Sequence, residues 1–144
     1  MGSHLVDRLL SEGTAVRALY RRPGRPQVFE GRPVELARGD VRDAGALAAA
    51  VEGVDEVYHL AGLTRAMTRE RMFETNTEGT RRLLDALARA GFSGRFVFCS
   101  SLSAVGLSVD GTPLTEAAPP RPFTWYGESK LAAEELLWGY ADRF

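Results

Sequence analysis

Arg95-Phe96-Val97-Phe98-Cys99-Ser100-Ser101 carries the reading of the fold. Three consecutive apolar residues bounded by Gly94 and a serine pair predict a short strand over 95–100, buried on both faces as in a parallel sheet. Upstream, 70–90 reads as one long helix with Leu83, Leu84 and Leu87 on a single face. Before it, Val57 to Ala61 reads as another strand. Strand, helix and strand in that order form a parallel crossover unit. The same alternation continues outward. Helix 3–10 stops at Gly13, strand 15–20 closes at Arg21-Arg22-Pro23-Gly24, and strand 34–38 ends at Gly39-Asp40. Asp43 caps a short alanine-rich helix ending before Gly53. A Gly- and Pro-containing loop, 106–122, leads to a last helix over 125–140. The expectation is a single α/β domain over 1–144, with no repeat and no internal linker.

Composition narrows the class. At 144 residues, 44% hydrophobic and 26% charged, the chain is long enough for a true core. A net charge of −1 offers no field for nucleic acid or an anionic membrane. No apolar run approaches a membrane span, and the start has no signal-peptide core, so a cytoplasmic protein is expected. The lone cysteine, Cys99, excludes an internal disulfide framework and reads as a packed thiol, while His59 reads as a packing residue at a strand end. No metal site is expected. Isoleucine is absent, Asn76 is the sole asparagine, and Lys130 is the sole lysine against seventeen arginines. A lysine kept in such a chain marks a position where a compact ammonium differs in effect from a guanidinium.

Tyr126 and Lys130, four apart in a helical segment, share a face one turn apart. An ammonium beside a phenol favours the phenolate and suits tyrosine to proton transfer. Spacing alone also fits an exposed pair on a solvated face. Ser100, Ser101 and Ser103 follow a strand's carboxyl end, where open α/β sheets bind ligands, although serines also begin turns. Gly2 heads the first helix, where free N–H groups suit a phosphate.

Taken together, six segments resemble the extended short-chain dehydrogenase/reductase family, the NAD-dependent epimerase/dehydratases. They are Gly2-Ser3-His4-Leu5-Val6-Asp7-Arg8-Leu9-Leu10, Gly39-Asp40-Val41, Val57-Tyr58-His59-Leu60-Ala61-Gly62, Asn76-Thr77-Glu78-Gly79-Thr80, the serine strand, and Tyr126-Gly127-Glu128-Ser129-Lys130. The resemblance implies a Rossmann-like, doubly wound parallel sheet lacking its first, central strand and its C-terminal substrate-binding part. Those parts would precede Gly2 and follow Phe144, so the isolated chain is expected to fold poorly and to bind cofactor weakly. It further implies Ser101, Tyr126 and Lys130 as catalytic, with Ser101, Ser103 and Tyr126 meeting substrate. The cofactor contacts it implies are Gly2, Tyr20, Arg21, Arg22, Asp40, Val41, Leu60, Ala61, Gly62, Thr64, Asn76 and Ser100, besides Tyr126 and Lys130. Hydride and proton transfer on a nucleotide sugar or a small carbonyl or hydroxyl compound would follow. A homodimer through helices 70–90 and 126–140 is a further implication. The alternative is a non-catalytic nucleotide-binding module, or an inactive piece of such an enzyme. NAD-selective members end the second strand with an acid; here Tyr20 stands there, followed by Arg21 and Arg22. NADP is therefore favoured over NAD, with Arg21 first and Arg22 or Arg25 next as partners of the 2′-phosphate. Residues 101–106 and 110–113 look most like sugar-epimerase and flavonol-reductase branches.

Overall fold

The computed structural model describes residues 1–24, 26–108 and 111–143. Its elements are α1 (Gly2–Ser11), β1 (Val16–Tyr20), β2 (Val34–Arg38), α2 (Ala44–Ala50), β3 (Glu56–His59), α3 (Arg69–Asn76), α4 (Glu78–Arg89), β4 (Arg95–Phe98), α5 (Leu102–Val105) and α6 (Trp125–Trp138). Single 3-10 turns lie at Gln27–Phe29 and Ala141–Arg143. Side-chain caps start several helices. Asp43 accepts hydrogen bonds from the amides of Gly45 and Ala46, Thr68 from Arg71, and Thr124 from Gly127.

Strands pair in parallel, in two pairs. β1 runs beside β2 from Val16↔Val34 to Tyr20↔Arg38, and β3 beside β4 from Glu56↔Arg95 to His59↔Phe98. Among the described residues no ladder joins the pairs. They share a helical layer nonetheless. Leu19 of β1 and Val57 and Phe96 of the other pair pack on one cluster formed by Leu47 and Val51 with Leu83, Ala86, Leu87 and Phe92. Fully buried leucines such as Leu47, Leu84 and Leu87 each contribute roughly 1.5–3 kcal/mol of apolar burial. On the opposite face of β1 and β2, Val6 of α1 packs with Phe29 and Val34, and Val16, Ala18 and Leu36 lie against them. The strand alternation thus directs Val16 and Ala18 one way and Leu19 the other.

Four expectations need correction. Val97 is 39% exposed, so β4 is covered on its Phe96 face only; α1 lies over β1 and β2 and does not reach it. Strands β3 and β4 end at His59 and Phe98, two residues early, because the following segments leave the ladder after the bond from Cys99 N to His59 O. The long helix is interrupted at Thr77 (φ −93°, ψ −58°), whose hydroxyl donates to the Ser129 carbonyl at 2.9 Å while its own N–H and carbonyl keep helical bonds to Phe73 O and Arg81 N. The last helix stops at Trp138, where Gly139 and Tyr140 close a tighter turn onto Leu136 and Leu137. The one-turn α5 was not anticipated; the Ser101 hydroxyl accepting from Ser103 N caps it.

Candidate active site

Parallel pairing places the segments after β3 and β4, 60–63 and 99–101, at the same edge of the sheet. The start of α6 is brought to them by close approach. A Cβ on Gly127 would lie 2.1 Å from the Ser103 carbonyl oxygen, so only glycine lets α5 sit against this turn. The Ser103 backbone therefore lies against the first turn of α6, which carries Tyr126, and Ser101 caps α5 two residues before it. Accepting the bond from Ser103 N, at 3.2 Å, leaves the Ser101 hydroxyl hydrogen to donate.

Lys130, one turn on, is only 4% exposed, and its Nζ sits 4.2 Å from the centroid of the Phe98 ring. Burial pushes the Lys130 ammonium below the usual lysine range, while Cys99 and Glu134 act in the opposite sense. Gly62 lies alongside: a Cβ there would stand 3.2 Å from Asn76 Oδ1 and 3.9 Å from Lys130 Nζ. Backbone, amide and ammonium thus converge on one open edge of the sheet.

Asn76 ties these parts together. Its Oδ1 accepts from Leu63 N at 2.7 Å, and its Nδ2 donates to Leu63 O at 2.8 Å and to Ser129 Oγ at 2.9 Å. Ser129 in turn donates to the carbonyl of Tyr126 at 2.8 Å. The asparagine therefore holds the loop after β3 against the turn of α6 that bears the tyrosine. Thr80 donates to the Asn76 carbonyl and meets His59 Nε2 at 2.9 Å. With the threonine hydrogen already used, Nε2 must be the donor. Burial, and after it the Lys130 charge, lower the His59 pKa to about 4, which keeps this packed imidazole neutral near pH 7.

Ser100 takes a part that sequence reasoning missed: its hydroxyl donates to a Glu134 carboxylate oxygen. Glu134 lies four residues beyond Lys130 on the same helix face, and that spacing was the available signal. Ser100 thereby anchors β4 to α6.

The remaining predicted residues lie on α1, at and after the ends of β1 and β2, and in the loop after β3. Gly2 heads α1, where Leu5 N bonds to Met1 O and the N–H groups of Gly2, Ser3 and His4 precede the helical ladder. A Cβ on Gly2 would meet nothing within 4 Å. The Tyr20 carbonyl accepts from Gly39 N at 2.9 Å, which holds the ends of β1 and β2 together. Asp40 is more occupied than expected. It takes Arg42 Nε and Nη2 at 2.9 and 2.8 Å and lies 3.8 Å from Arg21 Nη1. The Arg42 bonds outweigh burial and lower the Asp40 carboxyl to about 2. Val41 is buried against Gly79, where a Cβ would come within 2.8 Å of Cγ2. Arg22 is exposed, and Arg25 lies outside the described residues. Leu60 is half-buried, whereas Ala61 and Gly62 are exposed on the loop. Thr64 lines an open cavity of about 940 Å³ together with Tyr126. Among the described residues, no cluster of His, Cys, Asp or Glu could hold a metal, and no helix is long and apolar enough to cross a membrane.

This arrangement fits a dinucleotide cofactor. Helix N–H groups at Gly2 suit a pyrophosphate, the missing Cβ of Gly62 opens the approach to Lys130, and the ammonium can hold ribose hydroxyls. The sequence profile of the NAD dependent epimerase/dehydratase family matches residues 1–144. The chain belongs to that family. It is 37% identical over 138 residues to sterol demethylase protein B of Methylococcus capsulatus, covering 93% of this chain and 42% of that protein. The crystal structure of a short-chain dehydrogenase/reductase superfamily protein from Agrobacterium tumefaciens with bound NAD is 38% identical, with a TM-score of 0.83 over 96% of this chain and 41% of the other. The structure of MoeE5 in complex with UDP-glucose and NAD is 33% identical, with a TM-score of 0.84 over 99% and 46%. The chain thus spans less than half the length of these members of the epimerase/dehydratase family. Its Rossmann-type architecture is theirs.

Proposed function

We propose that this chain supplies the dinucleotide site and the Ser101–Tyr126–Lys130 set of an enzyme that interconverts a secondary alcohol and a ketone. Alcohol oxidation, or the first step of an epimerisation or dehydration, would use the same chemistry. The observation that carries the reading is Lys130, the sole lysine, buried under Phe98 one turn from Tyr126 and facing the gap left by Gly62. When bound, the nicotinamide accepts or returns the hydride. Tyr126 Oη takes the proton from the substrate hydroxyl, or delivers it in the reverse direction. Lys130 holds a positive charge near that phenol and binds the cofactor ribose. Ser101 donates its hydroxyl hydrogen to the substrate oxygen. Ser103, at the head of α5, borders the same position.

Two finer assignments belong to this reading. Arg21 and Arg42 converge on Asp40 next to the end of β1, where a 2′-phosphate would lie, and the cationic excess there favours NADP. A homodimer would pair copies through α3, α4 and α6, the helices that fill 70–90 and 126–140.

Tyr126→Phe tests the function. Cofactor binding measured by calorimetry should persist, while hydride transfer, followed by the absorbance of the reduced nicotinamide across a panel of secondary alcohols, should fall at least ~100-fold. Undiminished turnover would remove Tyr126 from the chemistry. Cofactor binding without turnover in the unsubstituted protein would make the chain a nucleotide-binding module.

A further inference from the structure

Ser100 and Glu134 make a contact that the proton and hydride steps do not use. The Ser100 hydroxyl, just beyond β4, donates to a Glu134 carboxylate oxygen. Two residues before Ser100, the Phe98 ring lies 4.2 Å from Lys130 Nζ, and Lys130 stands four residues before Glu134 on α6. Two residues of extended chain rise about 6.6 Å and four residues of helix about 6 Å, so the two contacts fit side by side. The end of the strand and the helix therefore run together over one helical turn. That register holds the carboxylate one turn from the buried ammonium.

An ammonium withdrawn from water favours its neutral form, and a nearby negative charge restores the charged one. Burial is the largest influence on Lys130 and lowers it. From β3 it faces the imidazole of His59, which is neutral near pH 7. From the end of β4 it faces the Cys99 thiol, beside Gly62 the uncharged Asn76 amide, and along its own helix Tyr126 and Glu134. Cys99 and Glu134 both favour the charged lysine. A thiol does so only once it has lost its proton, and thiols ionise above neutrality whereas carboxylic acids ionise well below it. Near neutral pH the counter-charge is therefore the carboxylate of Glu134.

We propose that Glu134 is a positioning residue for Lys130: held by Ser100, its carboxylate keeps the buried ammonium charged where that charge serves Tyr126 and the cofactor ribose. Glu134 acts through the lysine and touches neither substrate nor cofactor. Ser100 acts one step further back, by keeping the carboxylate from turning into solvent. Glu134→Gln retains an acceptor for the Ser100 hydroxyl and removes the charge, so it separates this electrostatic role from the anchoring of β4 to α6. The inference rests on the assignment of Lys130 above, since that assignment is what makes its charge matter to the reaction.

The composition of the chain supplies a readout separate from activity. Lys130 is the sole lysine, so protein grown on isotopically labelled lysine gives one Cε signal, and its titration by NMR reads this ammonium directly. Cys99→Ser serves as the background, so that no thiolate forms during the titration. In that background, Glu134→Gln should lower the Lys130 midpoint by about one pH unit, a tenfold easier loss of the proton. Ser100→Ala should lower it by a smaller interval, because the carboxylate is present but no longer held. Tyr126 and His59 are common to all these proteins, so the differences belong to Glu134. A midpoint unchanged in Glu134→Gln would overturn the inference, and so would one unchanged or raised in Ser100→Ala. Unfolding of Glu134→Gln would instead return its lysine toward the ordinary ~10.4, and Ser100→Ala would then decide. If Tyr126→Phe keeps full hydride transfer while Glu134→Gln lowers the midpoint, the catalytic assignment fails and the role of Glu134 beside Lys130 stands. The opposite pair of results removes Glu134 and leaves the catalytic assignment intact.

Discussion

Asn76→Ala should loosen the site by removing one side chain that three elements share. The amide accepts from Leu63 N and donates to Leu63 O and Ser129 Oγ, all within 2.9 Å, and its residue is 1% exposed. Met72 Sδ lies near the same nitrogen at 3.3 Å, but the two amide hydrogens are already taken by oxygens. Truncation leaves the Leu63 N–H, the Leu63 carbonyl and Ser129 Oγ without this partner. An orphaned buried polar group costs ~1–3 kcal/mol. Leu63 is half-buried and can recover some water, so the lower end applies to its two groups. The sum is about 3 kcal/mol, a large part of the ~5–15 kcal/mol typical of a domain. Urea denaturation should show that loss with an unchanged slope, and amide exchange at Leu63 should accelerate. Asn76→Asp separates the two halves of the clamp: it keeps an acceptor for Leu63 N but removes both donors. Stability should fall there too, with the Leu63 amide still protected. A loss below ~1 kcal/mol in Asn76→Ala, with Leu63 exchange unaltered, would refute the clamp.

His59 should give the stability a pH dependence. The unfolded chain protonates this imidazole near pH 6.5, whereas the folded chain resists until about 4. The unfolded state therefore binds more protons in that window. Stability is fully present above pH 6.5 and declines by ~1.4 kcal/mol per unit as the pH falls toward 4, about 3 kcal/mol in all. His59→Gln, which keeps a donor for Thr80, should flatten that part of the profile; an unchanged slope would show that the imidazole is not held neutral. Arg21→Ala should weaken NADP binding by about tenfold, the worth of one charge-assisted hydrogen bond, and leave NAD binding alone. Equal losses for both cofactors, measured by calorimetry, would reduce Arg21 to a surface partner of Asp40.

What could be read in the sequence was local, and what could not was set by partners far along the chain. Val57 and Phe96 lie in apolar runs whose strand character needs no knowledge of the rest, and Tyr126 and Lys130 share a helix face by spacing alone. The burial of Val97 is a different kind of quantity, because it depends on whether anything packs over that side of β4. An apolar run is the same string either way. Thr77 shows the same limit inside a helix. Its neighbours continue the 3.6-residue pattern, and the partner its hydroxyl meets where α3 gives way to α4 is a carbonyl at Ser129, fifty-two residues away. Asp40 illustrates it for charge. A carboxylate after β2 reads as a ligand for a nucleotide, yet Arg42 occupies both its oxygens, and the strength of that pairing follows from a bidentate geometry that spacing does not specify. Glu134 lies between these cases: its place on the Lys130 face was legible, but its partner Ser100 was not, since the bond crosses from helix to strand end. Residues that act through one element thus announce themselves in sequence, and those that join two elements do so only once the chain has brought them together.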